Sequence, residues 1–265
     1  TSSPPPSRRR IVGVSTKMYF SAARTKEYVD DLLRILSSPS SSPPPPRDLL
    51  DKLDVFIIPD HITLTSVISQ VKDTKILTGA QNAFYEDTGA YTGEISPAVL
   101  AEVGCRIVEL GHAERRRIFG ETDSDTAQKA AAAARNGMIP LVCIGERSKA
   151  GGEAATAITT AVDECRQQVD PVLASLPDDA QVILAYEPVW AIGAARPAGA
   201  EHVVAVTKAI RALECVQQRK GATRILYGGS AGPGLFEQLK DGVDGLFLGR
   251  FAHDPAQFYR TILEV

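Results

Sequence analysis

Glu187 is the residue of this chain best placed to do chemistry. It closes a β-rich run, Val182–Tyr186, and stands before Pro188, which biases its backbone towards an extended form and away from starting a helix. The chain's only tryptophan, Trp190, follows, and then small residues, Ala191, Gly193, Ala194 and Ala195. A carboxylate fixed beside a movable flap suits proton abstraction from a carbon acid, because water has to leave before the base works well. Read alone, a glutamate at a strand end equally well caps the next turn. Company from other strand ends shifts that balance. Lys17 offers a point positive charge for a phosphate or a developing oxyanion. His112 follows Gly111 and precedes Ala113-Glu114-Arg115-Arg116, a stretch able to open a helical turn. An imidazole at a helix N-terminus has its cation disfavoured, so it tends to stay a neutral donor. Gly228-Gly229-Ser230 and Gly249-Arg250 supply bare backbone N–H groups at loop–helix junctions, where phosphates are cradled. His61, His202 and His253 have no partner motif and read as structural.

What must hold these groups together is an alternation that runs the length of the chain. Short β-rich runs lie near Ile11–Val14, Asp54–Ile58, Lys75–Ala80, Arg106–Leu110, Ile139–Ile144, Val182–Tyr186, Arg224–Tyr227 and Gly245–Leu248. Amphipathic helical stretches separate them: Ser21–Leu36, Ile62–Val71, Pro97–Val103, Ser124–Asn136, Glu153–Ala174, His202–Lys220, Gly234–Lys240 and Pro255–Leu263. Such alternation predicts parallel strands with helical crossovers, and apolar strands predict burial on both faces. This many units in a chain of 265 residues fit a single-domain α/β fold, a closed (β/α)8 barrel. The alternative is an open Rossmann-type sheet, but no G-x-G-x-x-G follows the first strand. In a barrel, Lys17, His112, Glu187, Ser230 and Gly249, each just past a strand, converge on one face.

Residues 1–10, rich in Ser, Pro and Arg, read as a flexible tail, and residues 11–265 as the barrel. The run SSPSSSPPPPR at 37–47 predicts an exposed, locally disordered loop insertion between the first helix and the second strand, away from the active face. With 44% hydrophobic and 23% charged residues, the composition is that of an ordinary soluble protein. A net charge of −3 gives no electrostatic case for nucleic acid or an anionic membrane. The four cysteines, Cys105, Cys143, Cys165 and Cys215, form no C-x-x-C pair, which argues against a zinc site and a disulfide scaffold. Cys105 and Cys143, in or beside strand-like runs, read as buried, inert thiols, and a reducing compartment, by default the cytoplasm, is the expectation.

The sequence resembles the triosephosphate isomerase family from Ile11 to the C-terminus. The resemblance is carried by Thr16-Lys17-Met18, Gly79-Ala80-Gln81-Asn82, Gly89 through Ser96, Glu109-Leu110-Gly111-His112, Glu114-Arg115-Arg116, Cys143-Ile144-Gly145-Glu146, Ala185 through Gly193 and Tyr227-Gly228-Gly229-Ser230. It implies a TIM barrel in which Glu187 is the catalytic base, His112 a neutral electrophile and Lys17 their electrostatic partner. It further implies phosphate held by the amides of Gly193, Ser230 and the Gly249 region, with Ser15 and Arg250 lining the site and Glu114 and Cys143 supporting it. The pairing of a carboxylate base with a neutral imidazole is that family's known chemistry and comes with the resemblance. The loop Phe84–Glu94 resembles the family's dimer arm, which implies a homodimer with Thr92 reaching the neighbouring site. The implied activity, interconversion of dihydroxyacetone phosphate and glyceraldehyde 3-phosphate, places the chain in glycolysis and gluconeogenesis and needs no metal or organic cofactor.

Departures cluster at the site. Ser15 stands where the family carries Asn, Ala113 where it carries Ser, Ala194-Ala195-Arg196 where it carries Thr-Gly-Lys, and Arg250 where it carries a second Gly. Arg250 either adds a phosphate contact or narrows the entrance. The shorter side chains leave room or remove hydrogen bonds, and lost pairing shifts preference between close analogues by orders of magnitude. The alternatives are therefore a four-carbon ketose phosphate, such as an erythrulose phosphate, handled by the same shuttle, and a phosphosugar-binding barrel that does not catalyse.

Overall fold

Strands that are apolar on both faces have to be covered on both, and here the chain does so by closing on itself. The computed structural model describes residues 8–38, 40–149, 153–192 and 198–265. Its strands are β1 (Arg10–Ser15), β2 (Leu53–Ile58), β3 (Leu77–Ala80), β4 (Ile107–Leu110), β5 (Ile139–Ile144), β6 (Val182–Tyr186), β7 (Thr223–Tyr227) and β8 (Gly245–Leu248). All pair in parallel in chain order, and β1 also pairs β8, closing the barrel.

Side-chain alternation sorts each strand into two cores. Ile11, Phe56, Ile58, Ile107, Leu141, Ile183, Leu226 and Phe247 fill the barrel interior. Val12, Val14, Val55, Ile57, Val108, Leu110, Val142 and Leu184 face the helical shell. There they meet one apolar face per helix, such as Tyr28, Val29 and Leu32 of the Ala22–Ser37 helix. Cutting a fully buried leucine such as Leu32 back to alanine costs about 2–5 kcal/mol. No helix among the described residues is long and apolar enough to cross a membrane.

The N-terminal mouth of the barrel is closed by charge. Asp54 receives Arg224 at 2.6 Å and Arg9 at 2.5 Å. Asp244 receives Arg211 at 2.7 Å and Arg8 at 2.9 Å, and its Oδ2 also accepts the Ile225 N–H at 2.8 Å. Thus Arg8 and Arg9, read as flexible tail, are pinned by carboxylates, and β1 begins at Arg10 rather than Ile11. The loop within 37–47 is also anchored: Ser41 Oγ donates to the Ile35 carbonyl at 2.8 Å, and Tyr259 Oη donates to the Pro43 carbonyl at 2.7 Å. A short helix, Leu49–Lys52, follows it.

One expected helix is divided. The stretch His202–Lys220 forms Ala200–Arg211 and Glu214–Gln217, separated where Leu213 turns extended at φ −57°, ψ 137°. The Gln217 side chain donates to the Arg211 carbonyl at 2.7 Å, and Arg211 itself is drawn to Asp244. The Gln217 contact gives the Arg211 carbonyl the donor that a continuing helix would have supplied.

Candidate active site

Glu187 leaves β6 with its N–H donated to the Ile144 carbonyl of the neighbouring strand end at 2.8 Å. Gly145 lies so close that a Cβ there would sit 1.8 Å from the Glu187 carbonyl oxygen. Only glycine permits this approach, so the carboxylate's position is set by backbone against backbone. The Glu187 side chain is 14% exposed, and its Oε2 lies 3.4 Å from His112 Nε2.

His112 is the N-cap of the Ala113–Phe119 helix, and its Nδ1 accepts the Glu114 N–H at 3.1 Å. That bond leaves the ring proton on Nε2, facing Glu187: the neutral, donating tautomer. Gly111, at φ 66°, makes the turn from β4 that delivers the ring. Two influences oppose one another here. Burial disfavours the imidazolium, while the hydrogen bond to Glu187 and the charges of Glu109 and Glu187 outweigh it and raise the pKa above the usual histidine value. The capping bond acts with burial, because a proton on Nδ1 would face the Glu114 N–H.

Lys17 reaches the same cleft from β1. It is the sole non-glycine residue with positive φ among the described residues, at 47°. Such a backbone costs of order 1 kcal/mol and persists only where neighbours enforce it. Gln81 Nε2 donates to the Lys17 carbonyl at 2.8 Å, and the Lys17 N–H meets Ser15 Oγ at 3.2 Å. Lys17 Nζ pairs with Glu114 Oε1 at 2.7 Å. Burial lowers the Lys17 pKa, but Glu114, Glu187 and Glu109 together carry it above the usual lysine value, so the ammonium is retained. Glu114 thus serves two partners, His112 through its N–H and Lys17 through its carboxylate.

Ser15, Lys17, His112, Glu187, Ser230, Gly249 and Arg250 all border one cleft of about 1110 Å³ at the C-terminal mouth. Ser230 and Arg250 are exposed at its rim. The N–H groups of Gly228 and Gly234 are taken by the Tyr186 carbonyl at 2.8 Å and the Glu264 carboxylate at 2.7 Å. On the far side of Glu187 a second cavity, about 310 Å³, is bordered by Ala113, Cys143 and Gly145. Cys143 is buried and its thiol pKa is pushed well up by burial. Gly193 lies outside the described residues. Thr92 stands exposed, away from its own chain's cleft.

Two groups beyond the sequence reading matter. Glu146, only 1% exposed, accepts from Tyr186 Oη at 3.0 Å and Trp190 Nε1 at 2.9 Å and lies 3.1 Å from His202 Nε2. One carboxylate therefore ties β6, the turn after Glu187 and the Ala200–Arg211 helix together, and it gives His202 the partner that no motif disclosed. The second is Glu109, a carboxyl inside the barrel bordering the cleft, 5% exposed. Its signal was a charge in an apolar strand, on the same face as Ile107.

The chain is similar to known proteins over nearly its whole length. The family model described as triosephosphate isomerase matches residues 10–265. L-erythrulose-1-phosphate isomerase of Pectobacterium atrosepticum is 43% identical over 256 residues, 95% of this chain and 94% of that protein. The protein of the same name from Rhizobium meliloti is 39% identical over 263 residues, 96% of each chain. Triosephosphate isomerase of a Thermoanaerobacter species is 36% identical over 260 residues, 96% of this chain and 99% of that protein.

Proposed function

Because the chain belongs to the triosephosphate isomerase family and is a phosphosugar isomerase, we propose that its substrate is a four-carbon ketose phosphate, L-erythrulose 1-phosphate. The observation that carries the reaction type is the meeting of Glu187, His112 and Lys17 in one cleft, with 3.4 Å between carboxylate and imidazole. Glu187 takes the proton from the carbon next to the carbonyl, and that electron pair forms the carbon–carbon double bond of an enediolate. Lys17 Nζ stabilises the oxygen that gains negative charge, and His112 Nε2–H passes a proton between the two oxygens. Glu187 then returns its proton to the former carbonyl carbon. The carbonyl has moved by one carbon and no proton is gained or lost overall. The phosphate lies over the Gly229-Ser230 and Gly249-Arg250 loops, where it holds the sugar for the base.

Compared with dihydroxyacetone phosphate, erythrulose 1-phosphate bears one more hydroxymethyl group on the carbon that loses its proton. The short side chain of Ser15 at the cleft supports room for it, as do relatives that carry the erythrulose name at 43% and 39% identity. Interconversion of triose phosphates, with its place in glycolysis, is the second reading, supported by relatives at about the same identity as the Rhizobium protein. Initial rates on L-erythrulose 1-phosphate and glyceraldehyde 3-phosphate decide between them. We expect kcat/KM at least 10²-fold higher on the tetrulose phosphate, as for a site built around a substrate hydroxyl. A triose preference of that size would overturn the assignment.

The same reading includes a homodimer in the cytoplasm. Supporting it are the braced arm, where Phe84 N–H meets the Ile95 carbonyl at 2.8 Å, the 88% exposed Met18 nearby in sequence to Lys17, and cysteines that are all free. Thr92 of one protomer would complete the cleft of the other. Sedimentation at about twice 28.4 kDa is the expected result, and a monomer that is fully active would refute it.

A further inference from the structure

We propose that Glu109 is the residue that selects the longer sugar, by hydrogen bonding the terminal hydroxyl at the end of the substrate remote from the phosphate. This rests on the reading of the site as a phosphosugar isomerase and sharpens its substrate class.

Placement comes first. Strands follow one another around the barrel in chain order, so β4, which carries Glu109, stands across the ring from β8 and its Gly249 loop. A sugar anchored by its phosphate at β7 and β8 therefore extends towards β4. Glu109 shares the inward face of its strand with Ile107, whose neighbours inside are Leu141 and Cys143, and it lies two residues nearer the open mouth. It borders the substrate cleft with His112, Lys17 and Ser15.

The carboxyl acts on His112 and Lys17 by its charge alone, and it makes no side-chain hydrogen bond or ion pair among the described residues. At 5% exposure it should be paired, since buried polar groups are hydrogen-bonded as a rule. The nearby cation is engaged elsewhere, Lys17 with Glu114 at 2.7 Å, and His112 faces Glu114 and Glu187. Among the described residues no side-chain hydrogen bond or ion pair satisfies Glu109, so its oxygens are open to what enters the cleft. Burial pushes its pKa up to about 7, with His112 and Lys17 pulling down and Glu187 and Glu114 adding to the rise. At neutral pH both protonation states are present, and a hydroxyl, being donor and acceptor, is a fitting partner for either. A triose phosphate lacks the extra hydroxymethyl group and leaves Glu109 unsatisfied, and such unpaired groups are what reject the shorter analogue.

The test compares wild type with Glu109→Leu and Glu109→Gln on L-erythrulose 1-phosphate and on glyceraldehyde 3-phosphate. Glu109→Leu should lower the ratio of kcat/KM values, tetrulose over triose, by ~10²-fold, and Glu109→Gln, which keeps a hydrogen-bonding group, should recover part of it. The inhibition constant of inorganic phosphate should be the same in all three proteins, showing an intact site. The ratio is read whichever substrate wild type prefers, so a triose-preferring wild type would sink the substrate assignment alone. A ratio unmoved by both substitutions, with phosphate inhibition retained, overturns the role of Glu109.

Discussion

Replacing Gly145 by alanine should disable the enzyme without unfolding it. The added Cβ would arrive 1.8 Å from the carbonyl oxygen of Glu187 and 2.6 Å from its carbonyl carbon. Real contacts of this kind do not fall below about 3.0 Å, so the Glu187 peptide has to retreat by about 1.2 Å. No flexible side chain is there to absorb the push, because the obstacle is backbone. A displacement of about 1 Å at a reacting group costs roughly 10²-fold in rate, or about 2.7 kcal/mol of transition-state stabilisation. The overpacking itself should lower stability by about 1–3 kcal/mol, which a barrel of this size survives. Steady-state kcat and KM, with a urea melt on the same preparation, measure both effects. Gly199→Ala is the control, since nothing lies within 4 Å of its new Cβ and its φ is an ordinary −60°. A folded Gly145→Ala protein with kcat within threefold of wild type would refute the argument that backbone contact sets the base.

Three further outcomes are expected. Lys17→Met should lower kcat/KM by ~10³-fold or more, while costing at most about 1 kcal/mol of stability through the half-exposed Glu114 pair; a small loss of activity would show that the ammonium is not needed for the oxyanion. Glu187→Asp, whose shorter arm draws the carboxylate back from the substrate, should reduce kcat by ~10²-fold or more with KM little changed, and a change confined to KM would speak against a base. Glu109, with its folded pKa near 7 above the ordinary 4.5, binds a proton in the folded chain that the unfolded chain has already released. Its contribution is therefore full below about pH 4.5 and is lost as pH rises through about 7, an upper bound of about 3 kcal/mol. Urea melts at pH 5 and pH 8 should show that loss in wild type and a smaller one in Glu109→Gln, and equal losses would contradict it.

Much of this was legible in the sequence because a barrel writes its pattern locally. A strand buried on both faces must be an unbroken apolar run, and β5, β6 and β8 were bounded to the residue. Lys17, His112 and Glu187 stood out because polar groups directly past such runs have no packing reason to be there. Less visible was whatever depended on a partner far along the chain. The helix Ala113–Phe119 was legible only as a turn opening after His112, because Glu114-Arg115-Arg116 carries no apolar stripe to give its length. At the division by Leu213, Arg211 is held by Gln217 and by Asp244, the latter some thirty positions away. His202 read as idle because its acceptor, Glu146, belongs to another unit of the barrel. Glu109 was quoted as part of a motif, but its inward face follows only once the register with β5 is known.

The arginine and aspartate lattice that shuts the N-terminal mouth has a practical bearing. Arg8 to Arg10, the loop around Pro43 and the reacting groups occupy opposite ends of the strands. An affinity handle or a surface linkage attached ahead of Arg8, or within that proline-rich loop, will therefore present the enzyme with its catalytic rim turned outward to solution. Immobilised in that orientation, it should keep its turnover.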